Sequence, residues 1–187
     1  MAAQEDWQGA LTVFETIQKE VRPVDPETFE RRFRYDLDWG LALLNTSQSQ
    51  AAVDLLRAAA EKSEGTRGKD NYATAEARGM LGVALTGTGE YEQAIAEIER
   101  ALPILLAHSR ERDEIQQVAS QHRRLVQILE AYIYLLIELR DKPSTSIRGL
   151  HAVAKAFELA QLARDPAVQR ALSANSARAA ARNPRLA

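Results

Sequence analysis

The sequence predicts an all-α fold of about eight helices packed as antiparallel pairs, and three observations carry that expectation. Of 187 residues, 32 are Ala and only 6% are aromatic, so the apolar mass sits in small, helix-favouring side chains suited to close helix packing. Apolar residues recur at three- and four-residue spacing, and no strand-type alternation bounded by turns is found. The chain also repeats itself, because Trp39, Gly40, Leu43, Ala52, Leu56 and Ala59 recur 42 residues later as Leu81, Gly82, Leu85, Ala94, Ile98 and Ala101.

Composition bounds the function before any motif is considered. The 24 Lys+Arg and 26 Asp+Glu leave a net charge of -2, which describes an ordinary globular domain and gives no sign of a nucleic-acid or membrane-surface partner. No cysteine is present, so disulfides, thiolate metal sites and a cysteine nucleophile are excluded from this polypeptide. No apolar run reaches the length of a membrane span, and the start MAAQEDWQGA has neither a basic nor an apolar signal region. A cytoplasmic location is the expectation.

The elements follow in order. Trp7, Ala10 and Phe14 stand 84 residues before Tyr91, Ala94 and Ile98, so the first helix carries the signature of the second helix of a repeat and the chain is expected to begin in mid-repeat. Asp25-Pro26 is an N-cap followed by Pro at the first helical position, and Phe29, Phe33 and Leu37 continue at i+4 spacing, predicting one helix over 26–45. A degenerate repeat covers 33–64, with Ser47 where its better-defined copy has Gly89. GTRGKD at 65–70 is an inter-repeat loop; its spacing does not fit a phosphate-binding loop, which also needs a preceding strand. The second repeat starts at Ala75. Gly89 closes its first helix, and a second helix runs from Glu90 to about His108. Pro103 inside that helix removes one backbone hydrogen bond and predicts a kink. Ile115–Arg140 reads as one long helix, because no Gly or small residue interrupts it. Pro143 and its hydroxyl neighbours mark a loop, Arg148–Arg164 resumes a helical pattern, and Asp165-Pro166 starts a last helix to about Ala181. The expected organisation is a repeat array over 1–141 and a C-terminal helical pair over 142–187, the pair serving as a linker to a further domain.

The segment LGVALTGTGEYEQAIAEIERAL, with Leu81, Gly82, Leu85, Gly89, Tyr91, Ala94 and Ala101 at characteristic spacing, resembles a tetratricopeptide repeat (TPR). Gly82 and Ala94 are small where two helices cross, and Tyr91 fills the gap beside the turn. The resemblance implies a right-handed α-solenoid, and the 42-residue period is similar to the long-helix repeats of kinesin light chains. Further on, Ala156–Ala160, Val168–Leu172 and Ala177–Ala180 resemble the stretch that joins the TPR array to the peptidase domain in bacterial CHAT proteins, a caspase-like family. That resemblance implies a peptidase following Ala187, with none of its catalytic residues in this chain.

No enzyme is expected. His108, His122 and His151 fall on three different predicted helices without a metal-ligand pair, and acidic pairs such as Asp36 with Asp38 or Glu97 with Glu99 are spaced to point to different faces. No cofactor or metal is expected. Five Arg against one Asp over 164–187 are read as solvated or facing another domain, not as a nucleic-acid site. In TPRs certain first-helix positions line the concave side. Carried over, that rule places Arg34, Asp38 and Leu41, then Glu76, Met80 and Val83, then Arg123, Arg124 and Gln127 in a candidate partner groove. The expected function is a non-catalytic protein-interaction scaffold binding a protein or peptide, with a peptidase domain in cis as one such partner and a regulatory or recognition role in a larger CHAT-like protein. The alternative is a self-assembly module, a homodimer with no separate ligand. A third arrangement has the long helix and those after it fold over part of the groove and make it core.

Overall fold

The computed structural model describes residues 6–111 and 117–139, in seven α-helices. They are α1 (Trp7–Val24), α2 (Pro26–Arg32), α3 (Leu37–Asn45), α4 (Ser49–Arg67), α5 (Tyr72–Thr88), α6 (Tyr91–Glu111) and α7 (Gln117–Leu139), with no strand among the described residues. The chain divides into two compact units, Met1–Tyr132 and Ile133–Ala187, with the boundary inside α7. In the second unit Leu135, Leu136 and Leu139 are buried. The two helices expected over 148–164 and 166–181, and the loop at Pro143, lie outside the described residues.

Short polar side chains start the helices. Asp6, Asp25, Asp36 and Asn71 each accept a hydrogen bond from a backbone N–H in the first turn of α1, α2, α3 and α5, satisfying donors that the helix cannot. Asp25 caps α2 with Pro26 following, as its sequence signal implies, and the Thr28 backbone N–H holds the Asp25 carboxyl below its ordinary value. Gly89 closes α5 in the left-handed region at φ 82°.

The helix expected over 26–45 is two helices, because the chain turns at 33–36 and Asp36 opens α3. In a single helix Phe29 and Trp39 would stand about 15 Å apart along the axis. The turn brings their rings edge to face, with centroids 6.4 Å apart, while Tyr35 and Leu37 pack on Ala59, Ala60 and Ala77. Burial on both sides outweighs the hydrogen bonds a continuous helix would keep. The loop expected at 65–70 is shorter, since α4 continues to Arg67 and Gly68 ends it at φ 88°. α6 runs through Pro103 to Glu111, beyond the expected end at His108.

The helices pair sequentially: α3 with α4, α4 with α5, and α5 with α6, while α3 also touches α5. The close approaches recur at the repeat offset. A Cβ on Gly40 would stand 2.7 Å from Leu56 Cδ2, and one on Gly82 would stand 2.5 Å from Ile98 Cγ1 and 3.0 Å from the Ala94 carbonyl oxygen. Ala52, Leu56, Ala94 and Ile98 are fully buried around these crossings. α4 and α6 begin at Ser49 and Tyr91, 42 residues apart. α1 packs on α2 and α3, where Phe14 stacks flat on Trp39 at 5.6 Å and Leu11 is fully buried. The described residues of the first unit thus form an all-α array of sequentially paired helices, as in a solenoid.

Candidate functional site

The residues expected in a groove do not share one environment. Leu41 and Met80 are fully buried and belong to the core. Val83 and Gln127 are half-buried, with the Gln127 Oε1 buried and without a hydrogen-bond partner among the described residues. Arg34 is exposed; it pairs with Glu30 one helical turn back, and its guanidinium lies over the Tyr35 ring. Arg123 is exposed on α7.

The other three come together. Arg124 of α7 donates from Nε to Glu76 Oε1 of α5 at 2.9 Å and from Nη1 to Asp38 Oδ1 of α3 at 2.6 Å. One guanidinium therefore spans three helices whose contributing residues are 48 and 86 positions away. The geometry uses the fork of Arg, which presents several donors in one plane. The Arg124 and Glu76 side chains are only 11% and 8% exposed, whereas that of Asp38 is 56% exposed. Burial works against the Arg124 charge, but Glu76 and then Asp38 outweigh it and hold the guanidinium above its ordinary pKa. The Tyr72 hydroxyl also donates to Glu76 Oε1, at 3.4 Å.

Below this bridge α7 seats Ile128 against the bare backbone of Gly79, where an added Cβ would come within 2.5 Å of Ile128 Cδ1. Tyr132 donates to Glu99 Oε1 of α6 at 2.8 Å, and burial, with this bond, raises the Tyr132 pKa far above that of a free phenol. α7 thus fixes both helices of the preceding pair. Arg124, expected to line an open groove, instead has its charge inside the protein.

A second ionic cluster had no signal in the sequence beyond its charges. Arg78 of α5 reaches Glu64 of α4 and, at 3.0 Å, Glu97 of α6, which Arg100 also meets at 3.0 Å. The partners are 14 and 19 residues from Arg78, separations that no helical spacing rule predicts. Among the described residues no group of three His, Cys, Asp or Glu is placed to hold a metal ion, and no helix is long and apolar enough to cross a membrane.

The paired helices, small-residue crossings and glycine-closed turn define a helical-repeat protein of the solenoid class. Residues 33–107 match the family model of the tetratricopeptide repeat, and that stretch runs from the turn before α3 into α6. This stretch is thus similar to the tetratricopeptide repeat, and repeats of that kind are generally modules for protein–protein interaction. None of the curated proteins compared with the chain matches it.

Proposed function

We propose that the chain is a non-catalytic scaffold that binds a protein or peptide partner on the face formed by α3, α5 and α7. The observation that carries this is the Arg124 bridge, which ties the three helices side by side and leaves Asp38 and Arg123 exposed beside it. A preformed charged face spends little ordering entropy on association. The partner is an extended or helical segment with charges of both signs, to meet Asp38 and Arg123.

In its finer form the proposal makes this scaffold the regulatory or partner-recognition part of a larger CHAT-like protein, with kinesin-light-chain-like repeats and a peptidase domain in cis. The 42-residue offsets of the Gly40–Leu56 and Gly82–Ile98 crossings support the repeat type, and the residues from Ala156 to Ala180 support the domain context. The site of action on this reading is the cytoplasm. Self-assembly is the second reading, favoured by Val13 and Val24, which are 58% and 84% exposed on α1.

The test is affinity capture with cross-linking on three proteins. Arg123→Glu is expected to lose the partner that the unmodified chain captures, while Glu92→Lys, on the exposed start of α6, retains it. Capture unaffected by Arg123→Glu rejects the proposed face. Light scattering that shows a dimer, broken by Val13→Glu with no partner captured, favours self-assembly instead.

A further inference from the structure

Two grooves on the other side of the helical array are copies of one another, offset by the repeat. The first, about 410 Å³, lies between α1 and α4 with α3 as its floor; the second, about 420 Å³, lies between α4 and α6 over α5. Trp39 and Leu43 floor the first as Leu81 and Leu85 floor the second, 42 residues on.

Their chemistry differs. In the second groove Arg78 connects Glu64 on one wall to Glu97 on the other, and Arg100 extends the ladder. The counterparts in the first are Asp36, Arg22, Leu55 and Ala58. Asp36 is committed to capping α3, and Leu55 and Ala58 carry no charge, so no ladder crosses this groove among the described residues. An apolar floor is left between its walls. Two exposed carboxylates, Glu15 of α1 and Asp54 of α4, stand on those walls. Of the two cations in the lining, Arg34 is paired with Glu30, whereas Arg22 lies over the Phe29 ring at 5.8 Å and keeps its charge. The groove therefore presents two exposed carboxylates, one on each wall, against a single guanidinium without a carboxylate partner, Arg22, around a floor of Trp39 and Leu43.

We propose that the α1–α4 groove is a second docking surface, and that its occupant is a peptide segment with apolar side chains flanked by lysine or arginine. The apolar side chains lie on Trp39 and Leu43, and the flanking cations meet Glu15 and Asp54. The proposal rests on the scaffold reading in that the ligand is a peptide, but it uses a different face. The two can fail separately.

The test uses the full chain carrying Trp7→Phe, which leaves Trp39 as its one tryptophan. The probe is a capped lysine–leucine–leucine–lysine peptide, with a glutamate–leucine–leucine–glutamate analogue as its control. A saturable change in Trp39 emission is expected with the lysine peptide, and weaker binding of the glutamate peptide by about ten-fold, the sum of two partly exposed ion pairs. Leu55→Glu with Ala58→Arg, which replaces the two apolar counterparts by the Glu97 and Arg100 of the sister groove, is expected to remove the response. Glu15→Lys with Asp54→Lys changes only exposed side chains and is expected to reverse the preference between the two peptides. Arg123→Glu is expected to leave every value unchanged. No saturable response, equal binding of both peptides, or indifference to the Glu15 and Asp54 changes would overturn the proposal. Loss of binding on Arg123→Glu would do the same, since it would move the peptide to the other face.

Discussion

Ser47 adopts a left-handed backbone, φ 62°, at the repeat position where Gly89 adopts φ 82°. The two turns do the same work, ending α3 and α5 and starting α4 and α6. Only one has the residue that does so without steric cost. Among the described residues Ser47 is the one non-glycine with positive φ. The left-handed region costs an L-residue roughly 1–2 kcal/mol, partly offset by the greater unfolded-state freedom of glycine. Ser47→Gly is therefore expected to stabilise the chain by about 0.5–1 kcal/mol, which thermal unfolding reads as a rise of roughly 2–4 °C per kcal/mol. A lower midpoint would mean that the Ser47 side chain contributes more than its backbone costs.

The two glycine crossings should respond differently to the same change. At Gly82 a new Cβ meets both Ile98 Cγ1 and the Ala94 carbonyl oxygen, and the latter is backbone that cannot swing aside. At Gly40 the near atoms all belong to Leu56, whose branch can rotate. Gly→Ala gains about 1 kcal/mol of helix propensity at either site, against about 1–3 kcal/mol for overpacking. Gly82→Ala is expected to be net destabilising and Gly40→Ala close to neutral, as measured by denaturant midpoint. The opposite order would place the tighter crossing in the first repeat.

Arg124 gives the largest predicted single-site effect. Truncating it to Ala strands the Glu76 carboxylate in a buried setting, and breaking a buried pair in this way costs about 3–5 kcal/mol. Asp38→Asn removes only the exposed arm of the bridge, where a pair is worth about 0–1 kcal/mol. Replacing Arg124 and Glu76 together by Met and Leu should recover most of the Ala loss, because the desolvation cost leaves with the charges. A double-mutant cycle by chemical unfolding checks all three. Equal losses for the Arg124 and Asp38 variants would contradict the burial described here.

Asp36 offers a pH test. Burial, above all, raises its pKa, and the neighbouring Asp38 charge adds to this against opposing hydrogen bonds from the Asp38 and Trp39 backbone and the Arg124 charge. An acid whose folded pKa lies above its unfolded value binds its proton more tightly in the native state, so its ionisation costs stability above the folded pKa. That cost is relieved as pH falls through the folded pKa toward the ordinary aspartate value near 3.9. Asp36→Asn keeps an oxygen to accept from the Asp38 N–H and is itself a good cap. It is expected to exceed the parent protein at pH 7 by less than about 1 kcal/mol, with the difference shrinking as the solution is acidified into that window. A difference that grows on acidification would show that the native Asp36 favours its charged form.

The sequence by itself determined what depends on neighbours along the chain. Capping by Asp25, the stop at Gly89, the continuous helix of α7 and the 42-residue offset between the Gly40 and Gly82 crossings are local or periodic properties, legible because helix termini and helix faces follow fixed spacings. The register also brought Asp38, Glu76 and Arg124 onto one candidate face. Only the tertiary structure decided what that face contains. It buried Leu41 and Met80, closed Arg124 between two carboxylates, and left Arg123 outside, although the two arginines are adjacent in sequence. It broke the helix at 33–36 because the gain lay in contacts with Trp39 and α4. It also bridged one of two repeat-related grooves with an ion-pair ladder and left the other without one among the described residues. Exposure and pairing depend on which helix lies opposite, and the partners here are 14 to 86 residues away, beyond the reach of any spacing rule.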